Sequence, residues 1–381
     1  MIRRLKRIIK AMLRKAALCV PAGNYIMFES VPNLSDSPKA VYDEFVARGY
    51  ADKYQFVWWL YDDNAPCPEL PNTVYVSRNG LWNSVVFWYY LLRSKCLISC
   101  NRFLETFTQH QISVYITHGM VIKNTGSGYC LPEKVDHVVV SSEAVREIMA
   151  EDLCGDLGKF HGFGYPRNDV LHNASVDLHQ YFEIPFRKVA VWYPTFRQHK
   201  NGKKTGTVNA LPIIHDAQKA KQLNEIASRH GVLLVVKPHF AQDISYITNC
   251  DLSNIKFIDD RFFAKNGISS YEFVGSCDAL ITDYSSIYYD YLLCDKPVAA
   301  VWEDIEDYRK NPGFAVDVDF YLKGAEKIYT LEDFETFIAH ISAEEDVLAT
   351  ERAEINQIVN YSVDGKNTHR VVDFIVQQAK L

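Results

Sequence analysis

The chain has 381 residues, 48% hydrophobic and 23% charged, which is the usage of a folded globular protein and excludes a disordered or collagen-like chain. At roughly 150 residues per domain the length suggests about two domains, and nine scattered cysteines without a Cys-x-x-Cys pair point to reduced, intracellular chemistry. The net charge of −6 hides an asymmetry: seven bases and no acid precede Glu29, so residues 29 to 381 carry −13, an acidic body that argues against nucleic acid as a partner.

The chain opens on Arg3, Arg4, Lys6, Arg7, Lys10, Arg14 and Lys15. At about 100° per residue, Ile2, Leu5, Ile8, Ile9, Met12, Leu13, Ala16 and Val20 share one half of a helical wheel and the bases, Lys6 at the border, fill the other. Residues 1–20 therefore read as a basic amphipathic helix suited to an anionic membrane surface, or else as a helix packed on the protein with a solvated basic face. The apolar run from Ala16 to Val20 is too short for a secretory signal, and the eight residues from Val85 to Leu92 fall far short of the roughly 20 of a spanning helix.

Past Pro21, short β-branched or aromatic runs alternate with amphipathic segments, the pattern of helices layered on parallel sheets. The first half predicts strands at Tyr25 to Ser30, Gln55 to Leu60, Thr73 to Val76, Cys96 to Cys100, Ser113 to Thr117 and His137 to Val140, with helices filling the gaps, for example at Ser37 to Arg48 and Ser142 to Asp152. An irregular stretch from Leu171 to Arg187 marks a boundary, giving domains 21–180 and 181–381. The second half predicts strands at Val189 to Tyr193, Val232 to Lys237, Lys256 to Ile258, Ala279 to Thr282 and Val298 to Trp302. Its helices are expected at His215 to Arg229, Ser286 to Cys294, Leu331 to Ile341, Glu344 to Asn360 and Lys366 to Ala379. Two doubly wound Rossmann-like halves follow, with ligands expected beyond the carboxyl ends of their strands.

The candidate chemistry lies at those ends. His118 follows the strand Ser113 to Thr117, with Gly119 allowing close backbone approach and Lys123 nearby; it is a candidate base beside an anionic substrate, or a satisfied structural histidine. Gly162 to Asp169 is a turn-forming stretch without a dinucleotide fingerprint. In the second half, Arg197 follows Tyr193-Pro194-Thr195-Phe196, and Lys237 and His239 end another strand, types suited to an anion. Thr282-Asp283-Tyr284-Ser285-Ser286 closes a strand and opens a helix, where free N–H groups meet phosphate; plain capping would explain one serine. No Walker A sequence, His-Glu-x-x-His or clustered metal ligands occur, which weighs against NTPase, kinase and zinc hydrolase chemistry.

Taken in order, these segments resemble the CDP-glycerol glycerophosphotransferase family, the teichoic acid primases and polymerases, over nearly the whole chain. Asp36-Ser37-Pro38-Lys39-Ala40 is similar to an early Asp-Asn-Pro-Lys-Ala segment, and His118-Gly119 with Lys123 and Gly126 to a His-Gly-x-x-x-Lys-x-x-Gly motif. Gly164-Tyr165-Pro166-Arg167-Asn168-Asp169, Pro194-Thr195-Phe196-Arg197 and Thr282 to Ser286 with Asp290 and Pro297 continue the series, as do Asp307-Tyr308-Arg309, Gly313-Phe314 and Asp364-Gly365-Lys366. Departures are Thr117 where an aromatic is usual, His239-Phe240 for His-Pro, and Lys237 where arginine is frequent.

The resemblance implies a GT-B fold, with the donor nucleotide held mainly by the second domain, the acceptor entering from the first, and a peripheral enzyme at the cytoplasmic face of the membrane. The expected reaction moves glycerol phosphate from CDP-glycerol to a hydroxyl of a lipid-linked saccharide or polyol-phosphate acceptor, in teichoic acid-like or capsule polymer synthesis, and releases CMP. His118 is the expected base, and His239, the other expected catalytic residue, belongs to the diphosphate cradle. Lys123, Arg167, Asp169, Arg197, Lys237, Thr282, Asp283, Ser285 and Ser286 are the expected substrate ligands. No cofactor or catalytic metal is demanded, because side chains supply the charge neutralisation. CDP-ribitol as donor and nucleotide-sugar glycosyl transfer are the alternatives; a silent binding protein is a third class, disfavoured by the full set of candidate groups.

Overall fold

The structure is a computed structural model that describes residues 19–124, 129–195, 211–238, 242, 244–248 and 250–381. The amphipathic segment predicted at the start of the chain lies, through residue 18, outside the described residues.

Two compact units emerge. The first contains a seven-stranded sheet built from β1 (Tyr25–Glu29), β2 (Gln55–Trp59), β3 (Thr73–Val76), β4 (Ser94–Ser99), β5 (Ile112–Ile116), β6 (His137–Val140) and β7 (Phe160–Gly162). The strands run in the order β3-β2-β1-β4-β5-β6-β7 and every pairing is parallel. Strands of such a sheet are covered on both faces, which is why β1, β2 and β5 are mostly apolar, four residues of five in each, with only the first residue partly exposed. On one face Phe28, Phe56 and Trp58 pack with Phe45 of the helix Asp36–Ala47. On the other, Met27, Val57 and Trp59 pack with Phe87 and Leu91 of the helix Leu81–Arg93.

The second unit holds a six-stranded parallel sheet: β8 (Lys188–Trp192), β9 (Val232–Val236), β10 (Ile255–Phe257), β11 (Ala279–Thr282), β12 (Val298–Val301) and β13 (Glu326–Ile328). Its order is β10-β9-β8-β11-β12-β13. Helices Ala217–Arg229 and Leu331–Ala343 cover one face, burying Leu223, Ile226, Phe334 and Ile338 against Trp192, Leu234 and Ile281. In both sheets the strand order reverses beside the first strand, between β1 and β4 and between β8 and β11. Such switch points leave room for a ligand at the carboxyl edge.

The units are not continuous in sequence. The described part of Val121–Gly128 belongs with Val170–Val363, and Asp364–Leu381 belongs with the first unit. The last helix, Asn367–Ala379, was placed by the sequence in the second domain. Its Val371, Val372 and Ile375 instead complete the core beside the helix Asp36–Ala47. The division in the linker falls at Asp169, ahead of the irregular stretch Leu171 to Arg187.

Candidate active site

Consider first the carboxyl edge of the first unit. Thr117, the residue after β5, is buried and hydrogen-bonds Val139 O at 3.1 Å and the Tyr165 hydroxyl at 2.8 Å, which fixes the chain just before His118. Gly119 follows with φ of 128°, a conformation that L side chains disfavour. His118 itself leaves 58% of its side chain exposed, and its Nδ1 lies 2.8 Å from Asp36 Oδ2.

Asp36 opens the helix after β1 from the left-handed region, with φ of 59°. Its Oδ1 accepts from its neighbour Ser37 N–H at 2.6 Å, while Oδ2 faces both His118 and Arg167 Nη1, the latter at 2.8 Å. Burial alone would raise this carboxyl's pKa, but the Arg167 charge, with His118 and the Ser37 amide behind it, outweighs burial and holds it well below the usual carboxylate range. Asp36 is thus a fixed anion that accepts from Nδ1–H, turning the lone pair of His118 to Nε2.

Arg167, expected among the substrate ligands, is only 7% exposed and serves this pair instead. Besides Asp36, its Nη2 donates to the His118 carbonyl at 3.2 Å. Asp169, expected in the same role, is committed elsewhere. Its two carboxylate oxygens accept the N–H groups of Asn367 (2.9 Å) and Thr368 (2.7 Å), capping the last helix. Gly164 sits against the same helix start, with φ of 83° and Asn367 Oδ1 2.1 Å from where a Cβ would stand.

Asp36, Cys100 and His118 form the one group of three metal-ligating types found among the described residues. Their chemistry fits a metal poorly. Burial, with Asp36 and Glu29 nearby, raises the Cys100 thiol well above its ordinary pKa and keeps it neutral, and Asp36 already faces a guanidinium.

At the carboxyl edge of the second unit, Lys237 follows β9 with its Nζ 3.0 Å from Asp260 Oδ1 and 5.6 Å from the Tyr193 ring centroid. Thr282 and Asp283 are fully buried. The Thr282 hydroxyl donates to Tyr193 O at 3.0 Å. Asp283 accepts from Thr195 N–H at 2.7 Å, from the Thr195 hydroxyl, and from Tyr284 N–H at 2.5 Å. Both were expected to face substrate; both instead lock the segment Tyr193 to Thr195 onto the end of β11. Ser285 and Ser286 are partly exposed and precede the short helix Ile287–Tyr291, where the Ser286 side chain makes no capping hydrogen bond. Beside Lys237, a cavity of about 520 Å³ is lined by Pro238, Gln242, Phe257, Asp259, Arg261 and Lys265. Lys123 joins this unit through an antiparallel bridge to Phe314. Arg197, His239 and Gly126 lie outside the described residues.

Sequence reasoning quoted Asp36 only within a motif and gave it no role. The signal was its place in the turn after β1, since turns at the carboxyl edge next to the switch point carry function.

The profile of the CDP-Glycerol:Poly(glycerophosphate) glycerophosphotransferase family matches residues 12–377. The chain belongs to that family. It is 28% identical over 253 residues to the teichoic acid poly(ribitol-phosphate) polymerase of Bacillus spizizenii, covering 63% of this chain and 37% of that protein. To the teichoic acid glycerol-phosphate primase of the same organism it is 30% identical over 184 residues, or 47% of this chain and 43% of the other. The chain therefore spans about two fifths of the length of these relatives. Among solved structures, the wall teichoic acid polymerase TagF superposes with a TM-score of 0.73 at 19% identity, over 100% of this chain and 96% of that one. The fold of this glycerophosphotransferase family member is accordingly of the GT-B type.

Proposed function

We propose that the protein transfers glycerol phosphate from CDP-glycerol to a hydroxyl of a lipid-linked saccharide or polyol-phosphate acceptor and releases CMP. The observation that carries this reading is the Asp36–His118–Arg167 constellation in a member of this family. The acceptor hydroxyl gives its proton to His118 Nε2 as its oxygen attacks the phosphorus bearing glycerol, and the bond from that phosphorus to the CMP oxygen breaks. Asp36 stabilises the imidazolium, and Arg167 keeps Asp36 charged and in place.

The donor binds on the second unit in this reading. The cavity beside Pro238 has the size and the mixed lining of a nucleoside site, with Phe257 and Ile258 as apolar walls and Arg261 and Lys265 as donors. Lys237, Ser285 and Ser286, with Arg197 and His239, neutralise the diphosphate and the charge that grows on CMP.

A ribitol-phosphate donor is the second reading, supported by the ribitol enzymes among the relatives. Purified protein given an acceptor and CDP-glycerol, CDP-ribitol or a UDP-sugar decides among them by the nucleotide released. CMP from one CDP-polyol supports polyol-phosphate transfer, and a nucleoside diphosphate from the sugar donor overturns it.

Attachment to the cytoplasmic face of a membrane accompanies this reading. No described helix is long and apolar enough to cross a bilayer. The helix Leu81–Arg93 exposes Leu81 by 87%, Trp82 by 76%, and also Val85 and Tyr89. Gly23 N–H donates to Arg93 O at 2.8 Å, which ties the start of the described chain to the end of that helix. An exposed apolar helix face in a chain whose sequence opens on a run of bases suits an anionic interface.

A further inference from the structure

One group of residues on the first unit has no part in the reaction as described. At the carboxyl end of β2, Trp59 is followed by Tyr61, which is 55% exposed. The Arg102 guanidinium lies 4.7 Å from the centroid of each of these two rings. From the end of β3, the exposed Arg78 brings its guanidinium to 5.4 Å from Trp59 and 4.9 Å from Phe87. Among the described residues neither arginine forms an ion pair; Asp63, on the loop after β2, is held by Ser77 Oγ at 2.7 Å and by Asn79. Arg102 is set in position from below. Buried Glu29, the last residue of β1, accepts the N–H groups of Asn101 (3.1 Å) and Arg102 (2.9 Å) through Oε2.

A guanidinium lying on aromatic rings keeps its charge and its edge N–H donors while losing little further freedom on binding, which suits it to a phosphate oxygen pair. Tyr61 offers an open ring for the C–H faces of a polyol or sugar. The place of this patch matters as much as its chemistry. The sheet order β3-β2-β1-β4-β5 puts Arg78, Trp59, Glu29, Arg102 and His118 at the carboxyl ends of five neighbouring strands. At about 4.8 Å between strands, that edge runs about 19 Å from β3 to β5.

We propose that this edge is the acceptor track, with Arg78 and Arg102 gripping the phosphodiesters of an anionic polyol-phosphate chain whose terminal hydroxyl reaches His118. The assignment rests on the proposed transfer reaction and adds the residues that hold its polyol-phosphate acceptor, Arg78 and Arg102 with Tyr61.

The test uses the full chain and a synthetic soluble oligo(glycerol phosphate), with a neutral glycerol oligomer as control. Wild type binds the anionic oligomer in a salt-sensitive way and ignores the neutral one. Arg78→Gln and Arg102→Gln each weaken that binding and raise the acceptor KM about tenfold, and the double variant about a hundredfold, with CDP-glycerol affinity, measured by direct binding, within about twofold of wild type. A folded double variant with wild-type oligomer affinity overturns the track. Should the double variant unfold, the exposed Arg78→Gln alone decides by the same criterion. Arginine-dependent binding to phosphatidylglycerol vesicles without any binding of the soluble oligomer also overturns it, in favour of a lipid headgroup. The parent reaction fails separately, if no CDP-polyol releases CMP while the oligomer still binds.

Discussion

The two carboxyl edges use an aspartate in opposite ways. On the first unit, Asp36 is buried but directs its charge outward, through a hydrogen bond to a histidine that is 58% exposed. On the second, Asp283 is fully buried and directs its charge inward, holding the backbone and hydroxyl of Thr195 and the amide of Tyr284. Both lie in stretches that resemble the family, Asp36 to Ala40 and Thr282 to Ser286. A recognisable motif therefore marks a place where the architecture of a site is demanding, which is not always the place where a side chain meets substrate.

The sharpest way to break this comparison is at His118 and Asp36. His118→Ala lowers turnover by about a hundredfold to ten-thousandfold with CDP-glycerol affinity near wild type, read by CMP release and by direct donor binding. Asp36→Asn follows within about tenfold of that loss, because an amide can no longer stabilise the imidazolium. If Asp36→Asn is as active as wild type while folded, Asp36 does not act through His118.

Asp283 should fail differently. Asp283→Ala leaves three buried donors unanswered and costs about 2–4 kcal/mol of stability, measured by urea denaturation, before any kinetic effect is considered. A variant with wild-type stability and lost donor affinity would return Asp283 to the substrate ligands. Ser285→Ala with Ser286→Ala is the counterpart on the same edge. No cap is lost at Ser286, so melting should move little while donor affinity falls about tenfold. Unchanged donor affinity removes the serines from the cradle.

Asp169→Ala then separates capping from binding on the first unit. The last helix loses acceptors for two N–H groups, and stability falls by about 1 kcal/mol with donor and acceptor KM unchanged. A rise in either KM without a change in melting would restore its expected role.

How far these distinctions could be read in advance depended on the kind of information each needs. β1, β2, β4, β5, β9 and β11 were legible because a strand buried on both faces is built mainly from apolar residues on both sides of the sheet, as in Val232–Val236. β7 and β13 were not, being three residues each with His161 and Lys327 at their centres; β10, of the same length with Lys256 at its centre, was legible because Phe257 and Ile258 continue it as an apolar run. The helix Leu81–Arg93 was expected only in general, as one of the helices filling the gaps between strands, because Val85 to Leu92 is an unbroken apolar run that shows no 3.6-residue periodicity. The periodicity of Asn367–Ala379 was visible, but an apolar face says nothing about which core it completes. Asp36 and His118 stand on separate turns, and only the adjacency of β1, β4 and β5 brings them together.

A last, smaller effect distinguishes a histidine used for chemistry from one used for packing. His137 and His161 face each other on β6 and β7, Nδ1 to Nε2 at 3.1 Å, under Phe374 of the last helix, whose ring lies 5.0 and 4.6 Å from theirs. Burial lowers both pKa values, and burial, then His137 and Arg146, push His161 down to about 4. The unfolded chain, with its histidines near 6.5, then binds more protons than the folded one between about pH 6.5 and 4. Stability is fully present above pH 6.5 and falls as pH drops toward 4. His161→Asn should flatten that slope in urea midpoints taken across the window. Equal slopes in wild type and His161→Asn would mean that the buried pair is not what makes the first unit sensitive to acid.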